Sequence, residues 1–125
     1  MNYLIVFLGG GLGAAARYGM NIGVARVAGS AFPWHTMVIN ITGCFIMGAL
    51  TELMAPRLNI SNEMRLFLTT GILGGYTTFS AFALDFALLM ERRDAAGAAA
   101  YVLASVGLSL IACFIGLWLV RTLAA

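Results

Sequence analysis

Tyr101, Ser105 and Ser109 stand at i, i+4 and i+8 in a stretch that is otherwise almost wholly apolar. On a helix that spacing keeps one face, and at 1.5 Å per residue the hydroxyl ladder covers about 12 Å of length. Asn40 lies about a turn inside a second apolar run, and Gly43, Met47 and Thr51 continue its face at i+3/i+4 spacing. A third run carries Phe79, Phe82 and Phe86 at i, i+3 and i+7. Amide and hydroxyl groups donate hydrogen bonds, and phenyl ring edges are weakly positive through the ring quadrupole. Such a set suits a solute that accepts hydrogen bonds and offers none, which is a small anion. Singly, each feature has a plainer reading: Asn and Ser in membrane helices act as interhelical glue worth roughly 0.6 kcal/mol each, and aromatic stripes pack. Three elements presenting donors or ring edges at comparable depth favour a path over glue.

Charge sharpens the argument. Arg17 and Asp85 are the two charges inside the apolar runs, at similar distances from the ends of their segments, and are expected at similar depth. That places Arg17 near a vestibule, either paired directly with Asp85 or with each side chain snorkelling to the interface on its own. No Asp, Glu, Lys or His occupies the centre of the first, second or last run, so a proton relay lacks its titratable groups. A small proton-coupled drug exporter needs a carboxylate in its first helix, and the first acidic residue is Glu52. The Gly9–Gly13 stretch lacks the preceding strand and the Lys-Ser/Thr of a nucleotide loop; close helix packing through small residues explains it better. His35 sits at a loop edge and no nucleophile–base pair exists, which argues against an enzyme. Cys44 and Cys113 are isolated within apolar runs and read as small packing residues. The seven basic residues are all Arg, scattered singly or in one pair, and the net charge is +2. No basic stripe tracks a phosphate backbone, so nucleic acid is not a partner.

The elements that must position these groups follow from composition. Of 125 residues 62% are hydrophobic and 10% charged, far below the roughly quarter charged of soluble domains. A helical span takes about 20 apolar residues, so four spans use most of the chain as one domain. Helices are expected over about 2–27, 35–54, 63–90 and 96–120. Pro56 ends the second and Ser61-Asn62-Glu63 caps the third. The N-terminal run has no basic n-region and is too long for a signal peptide, so it is expected to stay as the first helix. The third region is too long for one span, and Gly71, Gly74, Gly75 and the run Tyr76-Thr77-Thr78-Phe79-Ser80 suggest a break near 74–78. Arg57, Arg65 and Arg121 flank one side of the membrane and Arg26, Arg92 and Arg93 the other. Three against three gives no positive-inside signal. The balance fits either weak bias with one orientation or dual topology with antiparallel pairing. The expected fold class is all-α integral membrane, four transmembrane helices with the third broken near mid-membrane.

Three segments carry a family likeness: Gly13-Ala14-Ala15-Ala16-Arg17-Tyr18, Val38-Ile39-Asn40-Ile41-Thr42-Gly43-Cys44-Phe45, and Gly74-Gly75-Tyr76-Thr77-Thr78-Phe79-Ser80-Ala81-Phe82. Over its whole length the chain resembles the Fluc (CrcB) family of fluoride channels. The resemblance implies an antiparallel, dual-topology homodimer in the inner (plasma) membrane with two passive pores that export cytoplasmic fluoride. It implies a structural, non-transported Na⁺ on the dimer axis, held by the backbone carbonyls of Gly74 and Thr77 from both subunits. The register Gly75/Thr78 remains open. By the same resemblance Phe79 and Phe82 face the pores, Asn40 donates to the ion, Tyr101, Ser105 and Ser109 form a polar track, and Arg17 lies near the aqueous vestibule. Ala81 departs from the Thr or Ser common in the family and removes one hydroxyl contact. The alternatives are a small dual-topology multidrug or small-solute exporter, and a non-transporting helical subunit that packs larger complexes.

Overall fold

The computed structural model describes residues 1–54 and 59–123. Ala55, Pro56 and Arg57, on which the expected helix stop and part of the arginine balance rest, lie outside the described residues. Five helices follow one another: α1 (Asn2–Ala28), α2 (Trp34–Leu53), α3 (62–76), α4 (Ser80–Glu91) and α5 (Ala95–Leu123). No strand occurs among the described residues. Trp34–Leu53, the broken stretch Asn62–Glu91 and Ala95–Leu123 are each long and apolar enough to cross a membrane. α1 has 27 residues, but six glycines and two arginines dilute its apolarity.

α3 begins where the sequence places its cap: the Ser61 hydroxyl accepts from the Met64 N–H at 3.2 Å. It then widens into a π-helical stretch, Phe67–Leu73, which the sequence did not announce. At its entry the Thr69 hydroxyl donates to the Arg65 carbonyl at 2.8 Å. This side-chain bond competes for the oxygen that an α-helical Thr69 N–H would use. Asp94 caps α5 by accepting from the Gly97 N–H at 2.9 Å.

The break covers 77–79, overlapping the later part of the expected 74–78. Gly74 and Gly75 are still helical; the chain leaves the helix at Thr77 (φ −80°, ψ 159°) and resumes at Ser80. The glycines serve close approach instead. A Cβ on Gly75 would run into the Gly10 carbonyl, one on Gly13 into the Ile72 carbonyl, and one on Gly9 would lie 2.8 Å from the Phe67 oxygen. α1 and α3 therefore touch backbone to backbone and run parallel. α2 and α5 repeat the arrangement: Gly48 faces the Cys113 carbonyl and Gly116 the Phe45 carbonyl. At their far ends Arg121 Nε meets Glu52 Oε1 at 2.9 Å.

The interior is small, with Ile39, Ala98 and Tyr101 fully buried, while Phe7, Leu103 and Phe114 are about 70% exposed or more (75%, 74% and 69%). Packing through small residues with large apolar side chains turned outward is the pattern that lipid as solvent permits. The seam gives a direct test. Gly13→Ala and Gly75→Ala each overpack the α1–α3 contact and should lose roughly 1–3 kcal/mol or more. Gly11→Ala, where nothing lies within 4 Å of the new methyl, should melt in detergent with the parent chain. Equal melting temperatures for all three variants would show that the seam is not tight.

Candidate functional site

One turn of α2 holds the break in place. Asn40 Nδ2 donates to the Thr78 carbonyl at 2.9 Å, and the Thr78 N–H donates to Asn40 Oδ1 at 2.9 Å. An amide side chain carries a donor and an acceptor side by side, so it can pair with both main-chain groups of a residue that has left its helix. Two residues on, the Thr42 hydroxyl donates to the Val38 carbonyl at 2.8 Å. With its proton so placed, Thr42 Oγ1 accepts from the Tyr76 hydroxyl, 2.9 Å away. Gly43 leaves room for the Thr77 methyl group. Residues 76, 77 and 78 are thus each met by a different residue of one short stretch, 40–43.

The diversion of donors changes the oxygens around the break. In a continuous helix the Thr78 N–H would bond the Gly74 carbonyl and the Ala81 N–H the Thr77 carbonyl. Here Thr78 N–H goes to Asn40, and Ala81 N–H goes to the Thr78 hydroxyl at 3.1 Å. The Gly74 and Thr77 carbonyls are left without their helical donors, whereas the Thr78 carbonyl already holds the Asn40 amide.

Beside the break lies a cavity of about 300 Å³ between α2, α4 and α5. Its polar groups come from Asn40, Thr77, Thr78, Ser105 and Ser109, and its apolar wall includes Phe79, Phe82, Val106 and Leu110. None of its lining residues is charged. Ser105 is 4% exposed, and the buried Oγ atoms of Ser105 and Ser109 have no hydrogen-bond partner. Asn40 keeps a second amide N–H beyond the one given to Thr78. The Phe79 and Phe82 rings stand 5.6 Å apart at 54°. The arrangement offers unspent donors and ring surfaces to a small acceptor.

The structure brings Asn40, Phe79, Phe82, Ser105 and Ser109 to one cavity together with Thr77. Tyr101 shares the helix of Ser105 and Ser109 but does not line the cavity. It is fully buried, its hydroxyl donates to Asp85 Oδ2 at 3.0 Å, and its ring lies 5.1 Å from Phe82 and 5.6 Å, edge-on, from Phe32. Asp85 therefore pairs with Tyr101 rather than with Arg17. Arg17 is half-buried on α1, and the ion pair among the described residues is Arg121–Glu52. Gly74 is exposed on the outer side of the break. Cys44, read from sequence as a packing residue, lines the cavity. Its position at i+4 from Asn40 was the signal that could have placed it there.

The family described as CrcB-like protein, Camphor Resistance (CrcB), matches residues 4–117. The chain belongs to the CrcB family. Relatives share about half of its residues over nearly the full length of both chains. A protein of Mesorhizobium japonicum is 53% identical over 122 residues, 98% of each chain. One of Rhodopseudomonas palustris is 53% identical over 123 residues, 98% of this chain and 99% of its own. One of Chelativorans sp. is 50% identical over 120 residues, 96% of each. All three are named fluoride-specific ion channel FluC. With its apolar spans, this family member is a multi-pass membrane protein.

The clamp on the break is testable without a transport assay. Asn40→Ala leaves both main-chain polar groups of Thr78 without their Asn40 partner and should lower stability by about 1–3 kcal/mol. Tyr76→Phe removes one hydrogen bond and should lower it by about 1 kcal/mol. Thermal melting in detergent measures both; an Asn40→Ala protein as stable as the parent would refute the clamp.

Proposed function

We propose that this chain is a fluoride-selective passive channel of the bacterial inner membrane that lets cytoplasmic fluoride leak out. The observation that carries the reading is the uncharged cavity with two buried, unpartnered serine hydroxyls beside the Asn40 amide. A hydroxyl without an acceptor is expensive inside protein and lipid, and fluoride is an acceptor that offers no competing donor. Ser105, Ser109 and the free Asn40 N–H replace part of the ion's water shell, as carbonyl rings do for cations. The Phe79 and Phe82 edges supply weak positive potential where hydroxyls give way to rings. Tyr101 acts indirectly: held by Asp85, it fixes the Phe82 ring from behind. Family membership and the names of the relatives support the same solute. A proton-coupled exporter has no carboxylate at this cavity to use.

The same reading makes α1, α2, the α3–α4 pair and α5 four crossings, α1 being about 40 Å long at 1.5 Å per residue. Its second copy inserts in the opposite sense and covers the open side of the break, where Gly74, Phe79 and Ser80 are exposed. A sodium ion fits the chemistry there, because the Gly74 and Thr77 carbonyls have lost their helical donors to Asn40 and Thr78. Hard main-chain oxygens suit such an ion. The alternative register is disfavoured because the Thr78 carbonyl is occupied by the Asn40 amide. When bound, Na⁺ supplies a fixed positive charge between the two pores. Arg17 lies at the vestibule in this reading.

Purified protein in liposomes with a K⁺/valinomycin shunt tests the function. Fluoride efflux should be fast, electrogenic and independent of a pH gradient, with negligible chloride efflux; no fluoride flux from well-folded protein would overturn the reading. Ser105→Ala with Ser109→Ala should slow fluoride about tenfold or more, at about 1 kcal/mol for each lost donor, and Phe82→Leu should also lose most flux. A packing subunit would tolerate these changes. Exchanging Na⁺ for N-methylglucamine during purification should weaken the dimer or its flux; indifference to Na⁺ would count against the ion site.

A further inference from the structure

We infer that Cys44 is a thiol-modification site on the wall of the ion path, reached from water and able to close the path when it carries a small adduct. The inference rests on the cavity being that path. Gly48 packs against the Cys113 carbonyl, and this contact sets the parallel register of α2 and α5. One turn earlier on each helix, the register brings Cys44 level with Ser109, and two turns earlier Asn40 level with Ser105. All four residues line the same cavity. Cys44 is half-buried and not in a disulfide. Ser105, 96% buried by its 4% exposure, and Ser109 turn unpartnered oxygens to the space that Cys44 borders. Buried hydroxyls without protein partners call for water or a solute there, so the sulfur lies beside a polar, wettable strip rather than within sealed packing. Cys113 is one turn further along α5, is likewise half-buried and free, and does not line the cavity. It is an internal control at nearly the same depth.

The ligand class is a small, uncharged sulfur electrophile, and methyl methanethiosulfonate is the probe. The Cys44 thiol gives its proton to water, and its sulfur attacks the methylthio sulfur of the reagent. A new S–S bond forms as the S–SO₂ bond breaks, and methanesulfinate leaves with the electron pair. Dithiothreitol supplies the two electrons that reverse the change. In a cavity of about 300 Å³, the added methylthio group stands opposite Ser109 and covers its hydroxyl with an apolar surface.

The experiment treats full-length protein in liposomes at about pH 8.5, near the ordinary thiol pKa. Adducts are read by peptide mass spectrometry, and fluoride efflux is taken as the ratio of treated to untreated samples of the same variant. The parent chain and Cys113→Ser should gain the adduct at Cys44 and lose at least tenfold in flux, restored by dithiothreitol. Cys44→Ser should give a ratio near one. Failure of Cys44 to react, reaction of Cys113 as fast as Cys44, or a full adduct with unchanged flux would each overturn the proposal. If untreated liposomes pass no fluoride, the channel reading fails, and the accessibility of the thiol then stands or falls on the adduct alone.

Discussion

The hydrogen bonds between the Asn40 side chain and the Thr78 main chain are the constraint from which the rest of the site follows. A helix interrupted inside a membrane exposes polar main-chain groups that lipid cannot satisfy. By holding both main-chain polar groups of one residue, Asn40 lets the chain leave α-geometry at a chosen residue and no other. The carbonyls upstream are thereby freed, the Phe79 and Phe82 rings are aimed, and α4 starts at an angle that lets Asp85 meet Tyr101. Thr42 and Gly43 reinforce the same choice at Tyr76 and Thr77.

Much of this was legible in the sequence, for physical reasons that also explain what was missed. The hydroxyl spacing of Ser105 and Ser109 survives folding because a long apolar helix keeps its periodicity whatever it packs against. Tyr101 obeys the same spacing yet leaves the cavity. Its partner Asp85 sits 16 residues earlier across a helical hairpin, and no local pattern encodes that pairing. The break expected near 74–78 overlaps the observed one at 77–79, but its first two residues, Gly74 and Gly75, which look like a flexible point, are still helical. A glycine serves equally as a place where two backbones touch, and only the position of Gly10 decides between the two uses. Cys44 was hidden by its chemistry: a thiol is apolar enough to pass for packing, and its place at i+4 from Asn40 matters only once the α2–α5 register is known.

The two glycine contacts divide the molecule into two parallel pairs, α1 with α3 and α2 with α5. Within a pair the backbones touch and permit little sliding. Between pairs the join is made by side chains: the Asn40 amide, the Thr42–Tyr76 hydroxyls and the Tyr101 cluster. Strong backbone packing thus builds two rigid halves, and a polar join sets their offset along the membrane normal. The cavity lies on that join.

The π-helical stretch Phe67–Leu73 has a consequence of another kind. A wide turn behaves as an α-helix into which one residue has been inserted, turning everything downstream by about 100°. Thr77 and Thr78 face α2 with that extra residue counted in. A chain one residue shorter here could wind a flawless α-helix and still present the break to lipid instead of to Asn40. The irregular turn sets the phase of the span, and the length of this segment is as much a part of the site as the side chains that line it.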